Sequence, residues 1–276
     1  MTTKRKKQLK QCNAVILLLI ASVMAVAQER GYLTNRIKPG DIFYLDNQGN
    51  ECFMDYRLWD RDNPPGEAQG VVFYSYYGTF PSGVEGGEEG WHGWIAALDE
   101  ADSLVWAPEN SLCYDTVVAL YPVEGISTPW NPYHEAVAFA IGDTCGWQNT
   151  QRFLEFVYTG SGTVLSDAVS SAFTYLFTEK NGIDDFSQKP IMTPTSWYLM
   201  GLGQLRVLYG YAGCVNSAMA ACGGTLLSNN KKWLSSTEVG VTRHNGVWYL
   251  YYDGSTPSAP GWLKHYSGTV RAVRSF

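Results

Sequence analysis

The sequence has few of the residues on which most enzyme chemistry depends. Histidine occurs only four times, and neither a His-Glu-x-x-His zinc motif, a Walker loop nor a nucleophile elbow is found. Ser161 stands between Gly160 and Gly162, but the surrounding spacing is that of a glycine-rich turn. The missing motifs predict that the protein is not an enzyme. An enzyme with an unrecognised site, either carbohydrate-active or oxidising, remains an alternative.

Metal-binding patterns are also missing. The sequence contains no Cys-x-x-Cys pair and no Cys/His spacing of a structural zinc site. Acidic residues gather between Glu85 and Asp102, but without the spaced ligands of an EF-hand, so this charge run is typical of a solvated loop. We therefore expect no metal and no cofactor.

Cysteine is sparse, and the predicted mature chain has an odd number of cysteines. Beyond Cys12, five cysteines leave at least one without an intramolecular partner; these are Cys52, Cys113, Cys145, Cys214 and Cys222. The segment between Cys214 and Cys222 has helical composition and ends at Gly223. Eight residues of helix separate two Cα atoms by about 12 Å, beyond the limit of about 7 Å for a disulfide. This pair is therefore not expected to form a bridge, and the other pairings stay open.

One long hydrophobic run occurs, at the N-terminal end of the sequence. Residues 14–26 are apolar, follow five basic residues between Lys4 and Lys10, and end in Ala25-Val26-Ala27. This pattern predicts a cleaved export signal over residues 1–27, with an uncleaved signal anchor as the alternative. No cysteine closely follows the apolar run, and Gln28 stands directly after the cleavage site, so a lipidated first residue is not expected. We expect an exported protein at the cell surface, in the periplasm or secreted, without a transmembrane segment after cleavage.

Basic residues are too few and too scattered for a nucleic-acid partner. The chain has 20 Lys and Arg against 26 Asp and Glu. Five of the basic residues and none of the acidic ones precede residue 28, so the predicted mature chain has 15 against 26, a net charge of −11. A phosphate-binding surface needs clustered Lys and Arg. Nucleic acid is therefore excluded as the expected partner.

The remaining sequence alternates between strand and helix patterns. Strands are predicted at 40–44, 70–74 and 93–98, with a Pro-Pro-Gly turn at 64–66. Helices are predicted from Asn149, as an N-cap, to about Tyr158, and over 164–178 and 203–211. No internal repeat stands out. The sequence predicts one α+β domain over residues 40–276, preceded by an extension at 28–39.

Aromatic residues concentrate near the C-terminal end. In the strand predicted around residues 248–253, side-chain alternation places Trp248, Leu250 and Tyr252 inward and the intervening residues outward. The following segment, 255–269, is polar and turn-prone but carries further aromatics, a composition typical of binding loops. An ordinary last hairpin whose aromatics cover the core is the alternative. The predicted ligand-binding patch consists of Thr242, Arg243, His244, Tyr249, Tyr251, Asp253, Ser255, Trp262, His265, Tyr266 and Ser267.

The order of several short motifs resembles a known family. The motifs are Gly-Val-Val-Phe-Tyr at 70–74, residues 93–98, Trp-Tyr-Leu at 197–199 leading into Gly203-Gln204-Leu205, Val215-Asn216, Ser-Ser-Thr-Glu at 235–238 and Val-Arg-Ala-Val-Arg at 270–274. Over roughly residues 40–276 they look like the exported bacterial domain known as the major paralogous domain or Lcl C-terminal domain. The chain departs from that pattern at Met200-Gly201-Leu202, where the family usually has Pro-Ser-Ala.

The resemblance implies a C-type-lectin-like fold: α+β, with a mixed, irregular β-sheet, two or three packed helices and long loops. The related formylglycine-generating domains use a reactive cysteine pair that Cys214 and Cys222 do not resemble. The Glu-Pro-Asn and Gln-Pro-Asp motifs of calcium-dependent sugar binding are also missing. The family therefore implies a binding protein, with an unknown protein or glycan on a cell or phage surface as its ligand.

Two groups of related proteins suggest more specific functions. Some are variable proteins of diversity-generating retroelements, whose asparagine codons are rewritten at their adenines. Such rewriting cannot yield Trp, Lys, Glu, Gln or Met, and between Tyr251 and Val270 only Trp262 and Lys264 belong to these types. Others are pilus tip adhesins. The resemblance thus implies an adhesin with a diversified surface. The alternative is a structural pilus or surface-assembly subunit, with pilus subunits as partners and its C-terminus buried in one of them.

Overall fold

Two β-sheets with packed helices make up the part of the chain that the computed structural model describes. The described residues are 36–79, 89–109, 140–159, 171–185, 189–239, 245–253 and 257–276. Residues 38–276 belong to one compact unit. The α+β prediction is confirmed.

Most strands are short, and the longest pairing is the antiparallel one between residues 66–79 and 89–97. They are β1 (Asp41–Asp46), β2 (Glu51–Asp55), β3 (Gly66–Thr79), β4 (Glu89–Ala97), β5 (Ala101–Val105), β6 (Tyr198–Leu199), β7 (Lys231–Val239), β8 (Gly246–Tyr252), β9 (Pro257–Ser258), β10 (Gly261–Leu263), β11 (Ser267–Val270) and β12 (Ala272–Ser275). The first sheet has the order β2-β1-β3-β4-β12-β6. The second has the order β10-β8-β7-β11-β5, with β9 also paired to β8. In the second sheet β11 runs parallel to β7, whereas the other pairs are antiparallel.

The helices agree with the sequence patterns, with one correction. They are α1 (Gly146–Thr159), α2 (Ser171–Tyr175), which continues into a π-helical turn (Leu176–Lys180), α3 (Leu202–Gly210) and α4 (Ala212–Cys222), besides a 3-10 helix (Tyr56–Leu58). The prediction that Asn149 caps a helix is wrong. Its side chain is buried inside α1 and donates hydrogen bonds to Asp143 and Ser236. Residues 164–170 of the second predicted helix lie outside the described residues.

Helix α4 ends as its sequence predicts. Gly223 adopts a left-handed backbone conformation at φ +83°, which glycine reaches without steric cost. Cys214 and Cys222 therefore lie at different turns of one helix, and both are free thiols, as are Cys52 and Cys145. Cys113 lies outside the described residues. None of the helices among the described residues is long and apolar enough to cross a membrane.

The central strands of the second sheet, β7 and β8, are largely buried on both faces. On one face Trp233, Trp248 and Leu250 join a core with α3, α4 and the first sheet. On the other face Leu234 and Tyr249 join a second core with α1 and α2. Because successive residues of a strand point to opposite faces, β7 and β8 each supply side chains to both cores.

The Ser-Ser-Thr-Glu motif is part of the buried structure. Ser235 donates to the carbonyl of Trp248 at 2.6 Å. Thr237 donates to Asp143 at 2.6 Å and accepts from the backbone N–H of Leu202 at 2.8 Å. These bonds tie β7 to the start of α3. A Cβ at Gly201 would lie 2.6 Å from the carbonyl oxygen of Asp143, and this close approach explains why a glycine stands at this position.

Candidate ligand-binding cleft

An aromatic cleft lies beside the end of strand β8. It has a volume of about 270 Å³ and is lined by Lys232, Tyr249, Tyr251, Pro260 and Trp262. Tyr251 pairs with Lys232 across β7, and Trp262 pairs with Val247 across β10. Paired strand residues share a face of the sheet, and alternation puts residues 247, 249 and 251 on that same face. The register of three strands therefore builds the cleft.

The structure corrects the prediction that Tyr249 points outward into solvent. Tyr249 is only 1% exposed, because the core built around α1 and α2 covers this face of β8 as far as Tyr249. Burial raises the pKa of its phenol, and its hydroxyl donates to the carbonyl of Tyr266 at 2.9 Å. Tyr249 thus forms the floor of the cleft rather than an exposed contact. The inward prediction for Trp248 and Leu250 is confirmed, since both are buried.

Tyr251 lies where the second core ends. It is half-buried, and its hydroxyl donates to the side-chain oxygen of Asn230 at 3.3 Å. Its neighbour Tyr252, predicted to point inward, is also half-buried and packs against Tyr209 with a ring-centroid distance of 5.0 Å. The face of β8 that is covered at Tyr249 is therefore open to a ligand at Tyr251.

Trp262 and Tyr266 form the exposed rim of the cleft. Trp262 is 37% and Tyr266 43% exposed, and their ring centroids are 5.2 Å apart. His265 packs against Tyr266 with a centroid distance of 4.4 Å. The rings support one another, so these large apolar surfaces face solvent in a fixed arrangement. The sequence-based prediction that Trp262 and Tyr266 are exposed is confirmed.

Two lining residues, Lys232 and Pro260, were missed by sequence reasoning. Lys232 places its ammonium 4.4 Å from the centre of the Trp262 ring. Its neighbour Lys231 points to the other side of the strand and pairs with Glu100 and Asp102. Alternation along β7 separates the two lysines, but only the pairing of Lys232 with Tyr251 places it at the cleft.

Two other predicted site residues that the structure describes, Asp253 and Ser267, are not among the residues that line the cleft. Asp253 lies beyond the end of β8, and Ser267 begins β11, both exposed. Thr242, Arg243, His244 and Ser255 lie outside the described residues. The structure therefore brings together Tyr249, Tyr251 and Trp262, with Tyr266 and His265 adjoining.

A buried ion pair anchors the segment that carries the rim. Lys264 and Glu238 pair with no exposure of either side chain, and the Lys264 ammonium lies 4.5 Å from the centre of the Trp106 ring. The Lys264 carbonyl accepts from the N–H groups of Trp106 and Ala107 at 3.0 and 3.1 Å. Lys264 follows Trp262 by two residues and precedes Tyr266 by two. Its fixed position therefore limits where both rings can lie.

A second charged network holds the neighbouring strands. The guanidinium of Arg271 is buried and donates to Glu100 at 2.6 Å and to the carbonyl of Ala97 at 2.8 Å. Hydrogen bonds from Thr269 and Lys231 hold the pKa of Asp102 below its usual range. These contacts join β5, β7 and β11, next to β8. Arg271 of the Val-Arg-Ala-Val-Arg motif is therefore part of the buried structure.

Among the described residues, the lining of the cleft offers stacking surfaces and one positive charge, that of Lys232. Aromatic rings supply large apolar area with few rotatable bonds, and the Lys232 ammonium can attract an anionic group. Within the described ranges no group of three His, Cys, Asp or Glu side chains could hold a metal ion. The chemistry of the lining residues thus suits non-covalent binding.

Comparison with known proteins gives a distant structural relative. No family model matches the chain, and no curated protein matches it. The fold is similar to the crystal structure of a fimbrial protein from Bacteroides ovatus ATCC 8483, with a TM-score of 0.59 and 15% sequence identity. The match covers 87% of this chain and 49% of that protein. The chain thus spans about half the length of this relative, and the likeness is one of fold.

Proposed function

We propose that this chain is an exported surface protein that binds a protein or glycan partner through the aromatic cleft, without catalysing a reaction. The observation that carries the proposal is the exposed pair Trp262 and Tyr266, held above the buried Tyr249. Large rings at binding sites supply roughly 2 kcal/mol or more each when a partner covers them. Without a partner, the contact of two large apolar rings with water is unfavourable.

Preorganisation supports a recognition role. The segment with Trp262 and Tyr266 is tied to the core by the Glu238–Lys264 pair and by the bond from Tyr249 to the Tyr266 carbonyl. Binding then orders few side chains, which avoids about 0.5–1.5 kcal/mol for each side chain that is already fixed. A loop that only covered the core would not need these two contacts to fix the segment that carries its exposed rings, Trp262 and Tyr266.

The similarity in fold to a fimbrial protein supports a location outside the cell. We extend the proposal to the finer family features: a signal peptide over residues 1–27, a short extension, and a C-type-lectin-like domain over 40–276. Export can be tested by intact mass of the mature protein from its host. A mature form that begins at Gln28 is expected, and one that keeps residues before 28 would contradict cleavage there.

Diversification by a retroelement is part of the same proposal. Of the two residues that adenine rewriting of asparagine codons cannot produce, Lys264 is buried in the core and Trp262 lies at the cleft. The changeable positions would then surround a fixed lysine anchor and a fixed tryptophan. Sequencing the gene from many isolates tests this: changes should concentrate at the exposed positions between 251 and 270, and an even distribution along the gene would contradict it.

The alternative, a pilus subunit whose C-terminus is buried in a partner, would need a different arrangement of the last strands. Strand β12 pairs with β4 and β6 of this chain, and Val270, Ala272 and Val273 are buried. A partner could take up these residues only by displacing two strand pairings. If the chain is an assembly subunit, a partner subunit is better placed to bind the exposed surface at Trp262 and Tyr266 than to take up the buried C-terminus.

A binding assay with matched variants tests the proposed function. The chain from Gln28 onward would be tested on immobilised mucins, extracellular-matrix proteins and glycans. Trp262→Ala and Tyr251→Ala should each lower binding at least about tenfold, whereas Tyr211→Ala should not. Tyr211 is 44% exposed, much like Tyr266, but does not line the cleft. Equal binding by all variants, or no binding to any surface, would contradict the proposal.

A further inference from the structure

We propose that the cleft takes a sugar residue that bears a carboxylate. This inference rests on the proposed function, since it names the ligand class of the same site. The lining combines the aromatic rings of Tyr249, Tyr251 and Trp262 with one cation, Lys232. A sugar ring presents C–H groups that pack on an aromatic face, and hydroxyls at its edge that bind polar groups. A carboxylate on that ring would complement the ammonium.

The position of Lys232 favours an acidic ligand over a neutral one. Its ammonium lies 4.4 Å from the centre of the Trp262 ring, so it covers part of the surface on which a ligand would stack. A neutral sugar that stacks on Trp262 must displace this cation and lose the cation–π attraction. A carboxylate gives the displaced ammonium a new and stronger partner. The exchange therefore costs a neutral sugar more than an acidic one.

Lys232 is available for this exchange. In the described part of the chain it forms no ion pair, whereas Lys231 beside it is neutralised by Glu100 and Asp102. Lys232 is exposed, so movement of its side chain requires no repacking. The whole chain has a formal net charge of −6, so an anion is attracted to this surface only by a local cation.

The dimensions of the cleft favour a sugar residue over an acidic peptide. A volume of about 270 Å³ is at the low end for a ligand site and suits one ring. Peptides often bind by adding a strand to a sheet edge, but the strand at this edge, β10, has only three residues. Polar groups that could meet sugar hydroxyls lie close by: the Tyr251 hydroxyl, Asn230 and the Ser258 hydroxyl, which donates to the Tyr251 carbonyl at 3.4 Å.

Titration of the chain from Gln28 onward with three defined sugars tests the inference. Calorimetry or NMR would compare 3′-sialyllactose and digalacturonate with neutral lactose, at low salt and at 0.15 M ionic strength. We expect both acidic sugars to bind about tenfold more tightly than lactose at low salt. The preference should shrink at the higher salt because the ammonium is exposed. A preference for only one acidic sugar would still support a carboxylate site and would identify its source.

Variants separate the charge from the ring. Lys232→Gln should remove the preference for acidic sugars and leave weak lactose binding, whereas Trp262→Ala should abolish binding of all three. Lys189→Gln is the control, because Lys189 is an exposed lysine paired with Glu155 at 3.7 Å and does not line the cleft. It should change nothing.

Several results would overturn the inference. These are equal binding of acidic and neutral sugars, an unchanged preference in Lys232→Gln, and no binding of any sugar at millimolar concentration. Heparin that binds Trp262→Ala as well as the unaltered protein, with no such dependence for the small sugars, would show long-range attraction only. Binding to an immobilised protein that depends on Trp262 but not on Lys232 would retain the proposed function while rejecting this ligand class.

Discussion

The hydroxyl of Tyr249 donates a hydrogen bond to the carbonyl oxygen of Tyr266, 2.9 Å away. This bond joins the floor of the cleft to its rim across a gap of 17 residues in the chain. Tyr249 is buried while the Tyr266 ring is exposed. The bond holds the backbone that carries the exposed Tyr266 ring.

Tyr249→Phe should reveal the contribution of that bond. Removing the hydroxyl deletes one hydrogen bond and leaves the Tyr266 carbonyl without its donor, which should lower the free energy of unfolding by about 1 kcal/mol. Chemical denaturation would measure the loss. The matched control is Tyr251→Phe, whose hydroxyl bond to Asn230 is longer and exposed and whose loss should cost about 0.5 kcal/mol or less. Equal losses would contradict a special role for Tyr249.

Core and rim rings should respond differently to truncation. Trp248→Ala removes a fully buried ring and should cost about 3–5 kcal/mol of unfolding free energy, a large share of the usual 5–15 kcal/mol. Trp262→Ala and Tyr266→Ala should cost about 1 kcal/mol or less. Thermal melts would compare them. If the rim variants unfold as readily as Trp248→Ala, the rim is part of the core and the recognition surface is wrong.

The buried pair Glu238–Lys264 should be sensitive to loss of one partner. Lys264→Met leaves the Glu238 carboxylate in a site without solvent, which should cost about 3–5 kcal/mol of unfolding free energy. Adding Glu238→Gln removes the unpaired charge and should restore part of the loss. Lys189→Met is the control, because its pair with Glu155 is exposed on both sides and should cost less than about 1 kcal/mol. A double variant no more stable than Lys264→Met would contradict this account.

Stability should fall at alkaline pH because of buried tyrosines. Burial raises the pKa of Tyr198 to about 12, although hydrogen bonds with Ser275 and Gln204 partly oppose the shift. The folded state then holds the phenol proton more tightly than the unfolded chain, whose tyrosines titrate near pH 10. The stabilisation is complete below pH 10 and is lost as the pH rises towards 12, by about 3 kcal/mol for this group.

Unfolding free energies measured between pH 8 and pH 12 would show this decline. Tyr198→Phe cannot ionise at this position, so its curve should be flatter between pH 10 and pH 12. Tyr209 and Tyr249, whose pKa values are also raised by burial, should maintain part of the slope. An unchanged slope in Tyr198→Phe would assign the alkaline loss to other groups.

Local patterns predicted the α-helices of the described residues and four of the strands, β1, β3, β4 and β8. Alternation along β8 predicted the burial of Trp248 and Leu250, and the sequence pattern predicted a helix at 203–211, in which Leu205, Leu208 and Tyr209 are buried. The glycine that ends α4 was predicted from composition alone. These features depend on residues within one or two turns of each other, so the sequence contains the necessary information.

The cleft depended on contacts distant in sequence. Alternation placed Tyr249 on the face opposite to Trp248, but could not tell that a second core covers that face. No strand was predicted at 231–239, and the register of β7 against β8 placed Lys232 at the cleft. A one-residue change of register would exchange the faces of every side chain, and a short segment does not contain that register.

The sequence by itself thus determined the α-helices, part of the strands, the inward residues Trp248 and Leu250 of β8 and the exposed aromatics Trp262 and Tyr266. Tertiary structure decided which faces of β8 are covered. It buries Tyr249, which was predicted to contact a ligand, beneath the cleft. The physical reason is that periodicity follows from backbone geometry within a segment. Burial and pairing depend on which distant segments pack together, as Glu238 and Lys264 do across 26 residues of chain.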